Sequence, residues 1–312
     1  MLAGFLLLIG FTMLIKGADV FVNASIGIAK KLNVSPAIIA LTIVAMGTSA
    51  PEGVISITAS AQGVSALAIG NVVGSNLFNL MFVIGLCAMI RAMPFKAKEI
   101  SKDFWMSIIA TAMLLALMLI GRTYIPRWGG GLLLLCFLIY IVTLIRKAKK
   151  DQEANEAPPE EADKPRPFPL IITFALLGFA LIIFGGQLTV DSATKIAVSL
   201  GVTERIIGMT IVAVGTSLPE MVTSLVACKK GENEFAIGNI VGSNIFNIML
   251  VLGIAGLITP LEIDSAYIYD ATFLLIGSTA ALIFFYTNKR LARREGLIIV
   301  LIYLIYMYLV VR

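Results

Sequence analysis

The chain has 312 residues, of which 59% are apolar and 14% are charged, and its mean hydropathy is +0.96. Soluble globular chains carry about 25% charged residues, so this composition excludes a soluble domain and predicts an all-α polytopic membrane protein. The net charge of +5 is interpreted as a signal of membrane topology, and no nucleic-acid partner is expected.

Ten apolar runs are long enough to cross a bilayer, which takes about 20 helical residues. They lie near residues 2–29, 36–60, 66–90, 103–121, 128–146, 168–198, 205–228, 235–258, 266–287 and 295–311. The sequence therefore predicts ten transmembrane helices. Within the first of them, Asp19 is expected to pair with Lys16 at i,i+3.

The second half of the chain repeats the first with an offset of 168 residues. Residues 17–85 align with 185–253 without a gap, and more than half of the positions in 38–85 are identical in 206–253. Five spans per copy is an odd number, so the two copies must cross the membrane in opposite orientations. Inverted repeats of this kind are typical of secondary transporters.

The predicted organisation is an N-terminal five-helix repeat (1–147), an acidic cytoplasmic linker (148–167) and a C-terminal inverted five-helix repeat (168–312). The linker alternates acids with Ala and Pro, a composition that cannot bury a core. With the N-terminus outside, 18 of the 24 Lys and Arg residues fall in cytoplasmic loops and five outside. This bias predicts a protein of the cytoplasmic membrane with both termini on the outer side.

Two related motifs place a carboxylate inside an apolar run. They are GTSAPE at 47–52, which contains Glu52, and GTSLPE at 215–220, which contains Glu220. A charged side chain at the centre of a membrane helix costs about 2.5–3.5 kcal/mol on insertion scales, so these acids are interpreted as functional. Gly and Pro in each motif predict broken second and seventh helices, which would expose carbonyls such as that of Ala45.

A second duplicated motif reads GNVVGSNLFN at 70–79 and GNIVGSNIFN at 238–247. Helical spacing places its Ser and Asn on one face, as it does the Thr, Ser and Glu of the first motif. The candidate ligands from the side chains are Thr48, Ser49, Glu52, Ser75, Asn79, Thr216, Ser217, Glu220, Ser243 and Asn247. All are oxygen donors, which suit Ca²⁺ and Na⁺, although Ser and Thr in membrane helices also bond neighbouring backbone.

Other kinds of site are not expected. The chain has no histidine, and Cys87, Cys136 and Cys228 show neither metal-ligand spacing nor a disulfide framework. No phosphate-binding loop is found, so no enzymatic activity and no cofactor are predicted. The predicted partners are Ca²⁺ and Na⁺ as transported substrates and the lipid bilayer, with the protein working as a monomer.

These paired motifs resemble those of the sodium/calcium exchanger family of the cation/calcium antiporter superfamily, over nearly the whole chain. The resemblance implies a central site in the second, third, seventh and eighth spans, with the first and sixth spans sliding across the other eight. It also implies ion ligation through the side chains named above for the first repeat, through Thr216, Ser217, Glu220 and Ser243 in the second, and through the carbonyls of Ala45 and Ala213.

Four functions are to be distinguished, of which a scaffold or sensor with a degenerate site is disfavoured because both duplicated motifs are intact. Potassium-dependent exchangers carry aspartate at the position of Asn247, so its amide favours a K⁺-independent Na⁺/Ca²⁺ antiporter. Proton/calcium exchangers carry a glutamate in a GNxxE block, which both copies here lack, yet a Ca²⁺/H⁺ antiporter stays an alternative. A passive cation channel is a second alternative, disfavoured because one duplicated acidic site suits occlusion better than multi-ion conduction.

Overall fold

A computed structural model of the chain describes residues 2–94, 97–154, 167–202, 211 and 213–311. These residues form twelve helices and four two-residue strands, which confirms the predicted all-α class. The helices are α1 (Leu2–Lys31), α2 (Pro36–Thr48), α3 (Ala50–Ala61), α4 (Ser65–Ile90), α5 (Ala97–Gly121), α6 (Arg127–Ala154), α7 (Phe168–Ser199), α8 (Ala213–Thr216), α9 (Leu218–Lys230), α10 (Asn233–Ile258), α11 (Ser265–Asn288) and α12 (Arg293–Val311).

Among the described residues, seven helices are long and apolar enough to cross a membrane, and the pair α2–α3 makes an eighth. Helices α2 and α3 are inclined at 50° to each other, so the second span bends where the sequence predicts a break. Much of the first half of the seventh span falls on residues 203–210 and 212, which lie outside the described part. The count of ten spans therefore stays a prediction.

Helices α4 and α10 lie at the centre of the bundle. In the most apolar window of each, 72% and 83% of the residues are buried, against 33% in α1 and 28% in α7. Each central helix contains a six-residue π-helical segment, Phe78–Val83 in α4 and Phe246–Val251 in α10. These two segments are related by the same offset of 168 residues as the sequence repeat.

Helices α1 and α7 pack along each other through glycines. A Cβ atom on Gly17 would lie 2.9 Å from the carbonyl oxygen of Gly178, and one on Gly178 would lie 2.8 Å from that of Gly17. Gly10 and Gly185 approach each other in the same way. We call these four residues the glycine seam. Small residues at such positions let membrane helices approach closely enough for backbone contact.

The two halves of the chain interlock at their periphery. Helix α12 packs on α4, where a Cβ on Gly85 would lie 2.8 Å from the Gly296 oxygen, and α6 packs on α10, where a Cβ on Gly130 would lie 2.9 Å from the Gly253 oxygen. The last helix of each predicted repeat is thus held by the central helix of the other repeat.

Short antiparallel strands, which the sequence did not predict, reinforce this exchange. Met93–Pro94 (β1) pairs with Arg290–Leu291 (β4), and Tyr124–Ile125 (β2) pairs with Leu261–Glu262 (β3). Each pair joins a loop from one half to a loop from the other. Two residues per strand are too few to leave a period-two pattern in the sequence.

Two local predictions need correction. Asp19 does not pair with Lys16; its Oδ1 atom lies 2.7 Å from Nζ of Lys230, because α9 packs against α1 at that level. Helix α6 continues to Ala154, so residues 148–154 of the predicted linker are helical. Their Ala, Lys, Gln and Glu residues are good helix formers, although they bury little. Residues 155–166 lie outside the described part.

Candidate cation site

The first duplicated motif interrupts the second span at a single residue. Ser49, with φ −84° and ψ 6°, separates α2 from α3, and Pro51 lies in the first turn of α3. Because proline has no N–H group, the Gly47 carbonyl loses the partner that it would have in an unbroken helix. The Ala45 carbonyl, predicted to be exposed, accepts a hydrogen bond from the Ser49 N–H at 3.0 Å. It also lies 3.4 Å from Oγ1 of Thr48, a long contact that a cation would have to share or displace.

The second copy of this motif, GTSLPE at 215–220, has a similar local structure. Ser217, with φ −91° and ψ 6°, separates α8 from α9, and Pro219 lies in the first turn of α9. The Ser217 N–H donates to the Val214 carbonyl at 3.1 Å. Ala213 is the first residue of α8, directly after position 212 outside the described part. Both motifs thus turn a helix end toward the interior, with acceptor carbonyls that favour a positive charge.

The two glutamates are held by serines of the opposite half. The Ser49 hydroxyl donates to Oε1 of Glu220 at 2.8 Å, and the Ser217 hydroxyl donates to Oε1 of Glu52 at 2.9 Å. All four side chains are completely buried. These reciprocal contacts bring the two duplicated motifs together, and they place two carboxylates in one water-excluded region.

Several buried oxygens on the helices that carry the duplicated motifs have no hydrogen-bond partner within the described part of the chain. They are Oε2 of Glu52, Oε2 of Glu220, Oδ1 of Asn79, Oδ1 of Asn247 and Oγ of Ser243. An unsatisfied buried polar atom costs about 1–3 kcal/mol, and more when it is charged. A bound cation satisfies such atoms together, since Ca²⁺ takes six to eight oxygen ligands.

The remaining predicted ligands lie on the same helices but with different surroundings. Thr48 is fully buried, and its Oγ1 lies 3.1 Å from the Val44 carbonyl and 3.3 Å from Oδ1 of Asn239 in α10. Ser75 is buried one helical turn before Asn79, and Thr216 is half-buried at the end of α8. The Thr48 proton is engaged within the protein, so this hydroxyl can offer a cation only its lone pairs.

Sequence reasoning missed two asparagines that brace the glutamates. Nδ2 of Asn71 donates to the Ser56 hydroxyl at 2.9 Å and lies 3.3 Å from the Glu52 carbonyl. Asn239 repeats this with Ser224 at 3.0 Å and the Glu220 carbonyl at 3.4 Å. Each asparagine thereby fixes the α3 or α9 segment that carries the acid. The available signal was that both asparagines occupy the GN dipeptide that opens GNVVGSNLFN and GNIVGSNIFN.

A second pair of asparagines links the two central helices. Nδ2 of Asn76 donates to the Asn244 carbonyl at 3.0 Å, and Nδ2 of Asn244 donates to the Asn76 carbonyl at 3.3 Å. Asn79 and Asn247 follow three residues later, each as the second residue of its π-helical segment. Single π turns inside α-helices occur frequently at functional sites, and here they coincide with the candidate amide ligands.

Comparison with known proteins identifies the fold and the family. The profile described as "Sodium/calcium exchanger protein" matches residues 2–146 and 170–312. The chain belongs to this family. It is a multi-pass membrane protein and an antiporter of the sodium/calcium exchanger type, as the resemblance of its duplicated motifs predicted.

Two relatives and one solved structure align with this exchanger-family chain over almost their full length. CaxA of Alkalimonas amylolytica is 38% identical, covering 99% of this chain and 98% of its own. The sodium/calcium exchanger MaX1 of Methanosarcina acetivorans is 32% identical, covering 97% and 96%. The solved structure of the sodium-calcium exchanger NCX_Mj, soaked with Na⁺ and Sr²⁺, superposes with a TM-score of 0.85 at 30% identity, covering 99% and 98%.

Proposed function

We propose that the protein exchanges Na⁺ for Ca²⁺ across the cytoplasmic membrane by alternating access, without a requirement for K⁺ or a resident cofactor. The observation that carries this proposal is the buried pair of carboxylates, Glu52 and Glu220, each held by a serine of the other half. Each carboxylate also has one oxygen without a hydrogen-bond partner in the described part of the chain. The proposed ligands are the twelve residues predicted from the sequence, with Ala45 and Ala213 acting through their carbonyls.

The charge of this site explains why the two ions would compete. Two carboxylates are neutralised by one Ca²⁺ or by two Na⁺, and a third Na⁺ would rely on hydroxyl and carbonyl oxygens. Because both ions need Glu52 and Glu220, occupancy by one weakens binding of the other by thermodynamic linkage. Competition for one set of oxygens, combined with access from one side at a time, is sufficient for antiport.

The proposed architecture has ten spans in two inverted five-helix repeats, 1–147 and 168–312, joined by the linker 148–167. Both termini lie outside, and the protein works as a monomer. The shared offset of the π-helical segments and of the two motif breaks supports the repeat. The glycine seam supports alternating access, because α1 and α7 contact each other closely while remaining less buried than α4 and α10.

Calcium uptake into sealed vesicles tests the coupling. With the pH gradient collapsed by an ionophore, an outward Na⁺ gradient is expected to drive Ca²⁺ inward, and removing Na⁺ to stop net uptake. Acidification is expected to inhibit, because protonated carboxylates no longer attract a cation. If three Na⁺ move per Ca²⁺, membrane potential changes the driving force by about 2.3 kcal/mol per 100 mV.

The alternatives give different results in the same vesicles. Uptake that follows a pH gradient and ignores Na⁺ identifies a Ca²⁺/H⁺ antiporter and contradicts the sodium assignment. Calcium that moves down its own gradient with no counter-ion identifies a channel. Empty vesicles and vesicles carrying Glu52→Gln provide the background for both arms.

Asn247 is proposed to set independence from potassium, because its amide contributes an oxygen ligand without a charge. Wild-type exchange is therefore expected to be unchanged when K⁺ replaces an inert cation at fixed membrane potential.

Asn247→Asp is expected to add a third carboxylate, to strengthen cation binding and to move the activity threshold to higher pH as protons compete. A strict K⁺ requirement of the wild-type protein would contradict this assignment; Asn233→Asp, in the first turn of α10, is the control for added charge.

A further inference from the structure

The hydrogen bonds of Asn76 determine which way its amide points. Its Nδ2 donates to the backbone carbonyl of Asn244 at 3.0 Å, and a carbonyl can only accept. The amide oxygen of Asn76 must therefore face the other way. There it lies 3.2 Å from Nδ2 of Asn247. The hydrogen bond to a backbone carbonyl therefore decides which end of the Asn76 amide is nitrogen and which is oxygen.

The same reasoning fixes the amide of Asn247. The Asn76 oxygen is an acceptor, so Asn247 must present its NH₂ group to it. The Asn247 oxygen is then directed to the opposite end of the amide, where it is buried without a partner in the described structure. Reversing this amide would place two oxygens against each other at Asn76 and would put an NH₂ group where the unpartnered oxygen of Asn247 now lies.

The equivalent contact is missing in the other half of the molecule. Asn244 makes the matching backbone bond, donating to the Asn76 carbonyl at 3.3 Å. Its own Oδ1, however, has no partner in the described part of the chain, and neither amide atom of Asn79 has one. The two central asparagine ligands are thus unequal, although their helices follow the same repeat.

We propose that Asn76 is a positioning residue for the cation site, which holds the amide of Asn247 with its oxygen toward the ion. This inference rests on the proposed function. A pre-oriented oxygen gives up less freedom when the ion binds, so the restraint raises affinity without adding a ligand. Asn79 has no such restraint among the described residues.

Equilibrium binding to the purified full-length protein in detergent tests the proposal, with Asn244 as the matched control. Asn76→Leu removes both bonds of its side chain, whereas Asn244→Leu removes the equivalent backbone bond but no contact to a ligand amide. Asn76→Leu is expected to weaken cation binding by about 3- to 10-fold, which is the scale of one neutral hydrogen bond. Asn244→Leu is expected to weaken it by under about 2-fold. The readouts are the Ca²⁺ Kd and the Na⁺ concentration that displaces half of the bound Ca²⁺.

A double-mutant cycle isolates the pair. In an Asn247→Ala background, Asn76→Leu is expected to change both readouts by under about 2-fold, because the amide that it orients is gone. Equal changes in the Asn76 and Asn244 variants, no change in either, or a full effect in the Asn247→Ala background would overturn the proposal. Should Asn76→Leu fail to fold, Asn76→Ser against Asn244→Ser gives the same comparison with a side chain too short to reach Asn247.

Glu52→Gln and Glu220→Gln separate this inference from the function on which it rests. If these variants lose Ca²⁺ binding while Asn76→Leu matches Asn244→Leu, only the positioning role is rejected. If they bind Ca²⁺ like the wild-type protein, the proposed site itself is rejected.

Discussion

Glu52→Gln and Glu220→Gln, each alone, are expected to abolish calcium transport in a protein that still folds and inserts. The Ser217 hydroxyl donates to Oε1 of Glu52, and it will hold the amide oxygen of a glutamine in the same way. The NH₂ group then replaces Oε2, the oxygen that has no hydrogen-bond partner among the described residues, and points a donor at the proposed cation. Ser49 imposes the same arrangement on position 220.

The size of the loss follows from leaving a buried charge without its counter-charge. Breaking such a pair costs about 3–5 kcal/mol, which corresponds to a roughly 150- to 5,000-fold weaker interaction with the ion. In cation-free buffer the effect on stability is expected to be reversed. Replacing one of two buried carboxylates by an amide removes a desolvated charge, so the variants unfold at the same or a higher temperature than the wild-type protein.

Vesicle uptake and thermal unfolding measure these two effects separately. Calcium is expected to raise the Tm of the wild-type protein, because a ligand that binds only the folded state stabilises it, and to leave the Tm of both variants unchanged. Glu262→Gln, on an exposed strand residue, is the control for the loss of one acid. Wild-type uptake by either Glu52→Gln or Glu220→Gln would show that the ion binds elsewhere.

The acids of this site could be located from the sequence, but their partners could not. A carboxylate in an apolar run stands out, and its duplication marks it further. Ser49 was predicted to share a helical face with Glu52, whereas the structure pairs it with Glu220 of the other half. That contact depends on how two separate repeats dock, and residue spacing within one helix holds no information about it.

The shape of the central helices also went beyond sequence reasoning. A π-helical segment shifts the helical register by one residue without a recognisable change in side-chain pattern. Phe78–Val83 and Phe246–Val251 therefore read as ordinary apolar helix, and the bracing roles of Asn71 and Asn239 across the neighbouring helices were not anticipated. The Ala45 carbonyl was expected to be exposed by the helix break. The break is so short, however, that the Ser49 N–H still donates a hydrogen bond to the Ala45 oxygen.

A side chain placed in the glycine seam is expected to block transport while leaving the cation site intact. In Gly17→Val, the new Cβ would lie 2.7 Å from Cβ of Leu181 and 2.9 Å from the Gly178 oxygen. Neither atom can move away by a side-chain rotation, so α1 and α7 must move apart. Overpacking of this kind costs about 1–3 kcal/mol. If the two helices move as one body during alternating access, a penalty that differs between the two end states slows exchange by roughly 5- to 150-fold.

Gly4→Val is the matched control, because Gly4 lies on the same helix and a Cβ there meets no atom within 4 Å. Its uptake rate is expected to equal that of the wild-type protein, and both variants are expected to keep the Ca²⁺-dependent rise in Tm. The proposed site residues lie in or between α2, α3, α4, α8, α9 and α10, and none belongs to the glycine seam. Loss of transport with retained Ca²⁺ binding would therefore show that the seam glycines act in the conformational change. Loss of the Tm response in Gly17→Val would instead mean that the seam shapes the cation site. Undiminished flux would mean that α1 and α7 exchange ions without remaining in close contact.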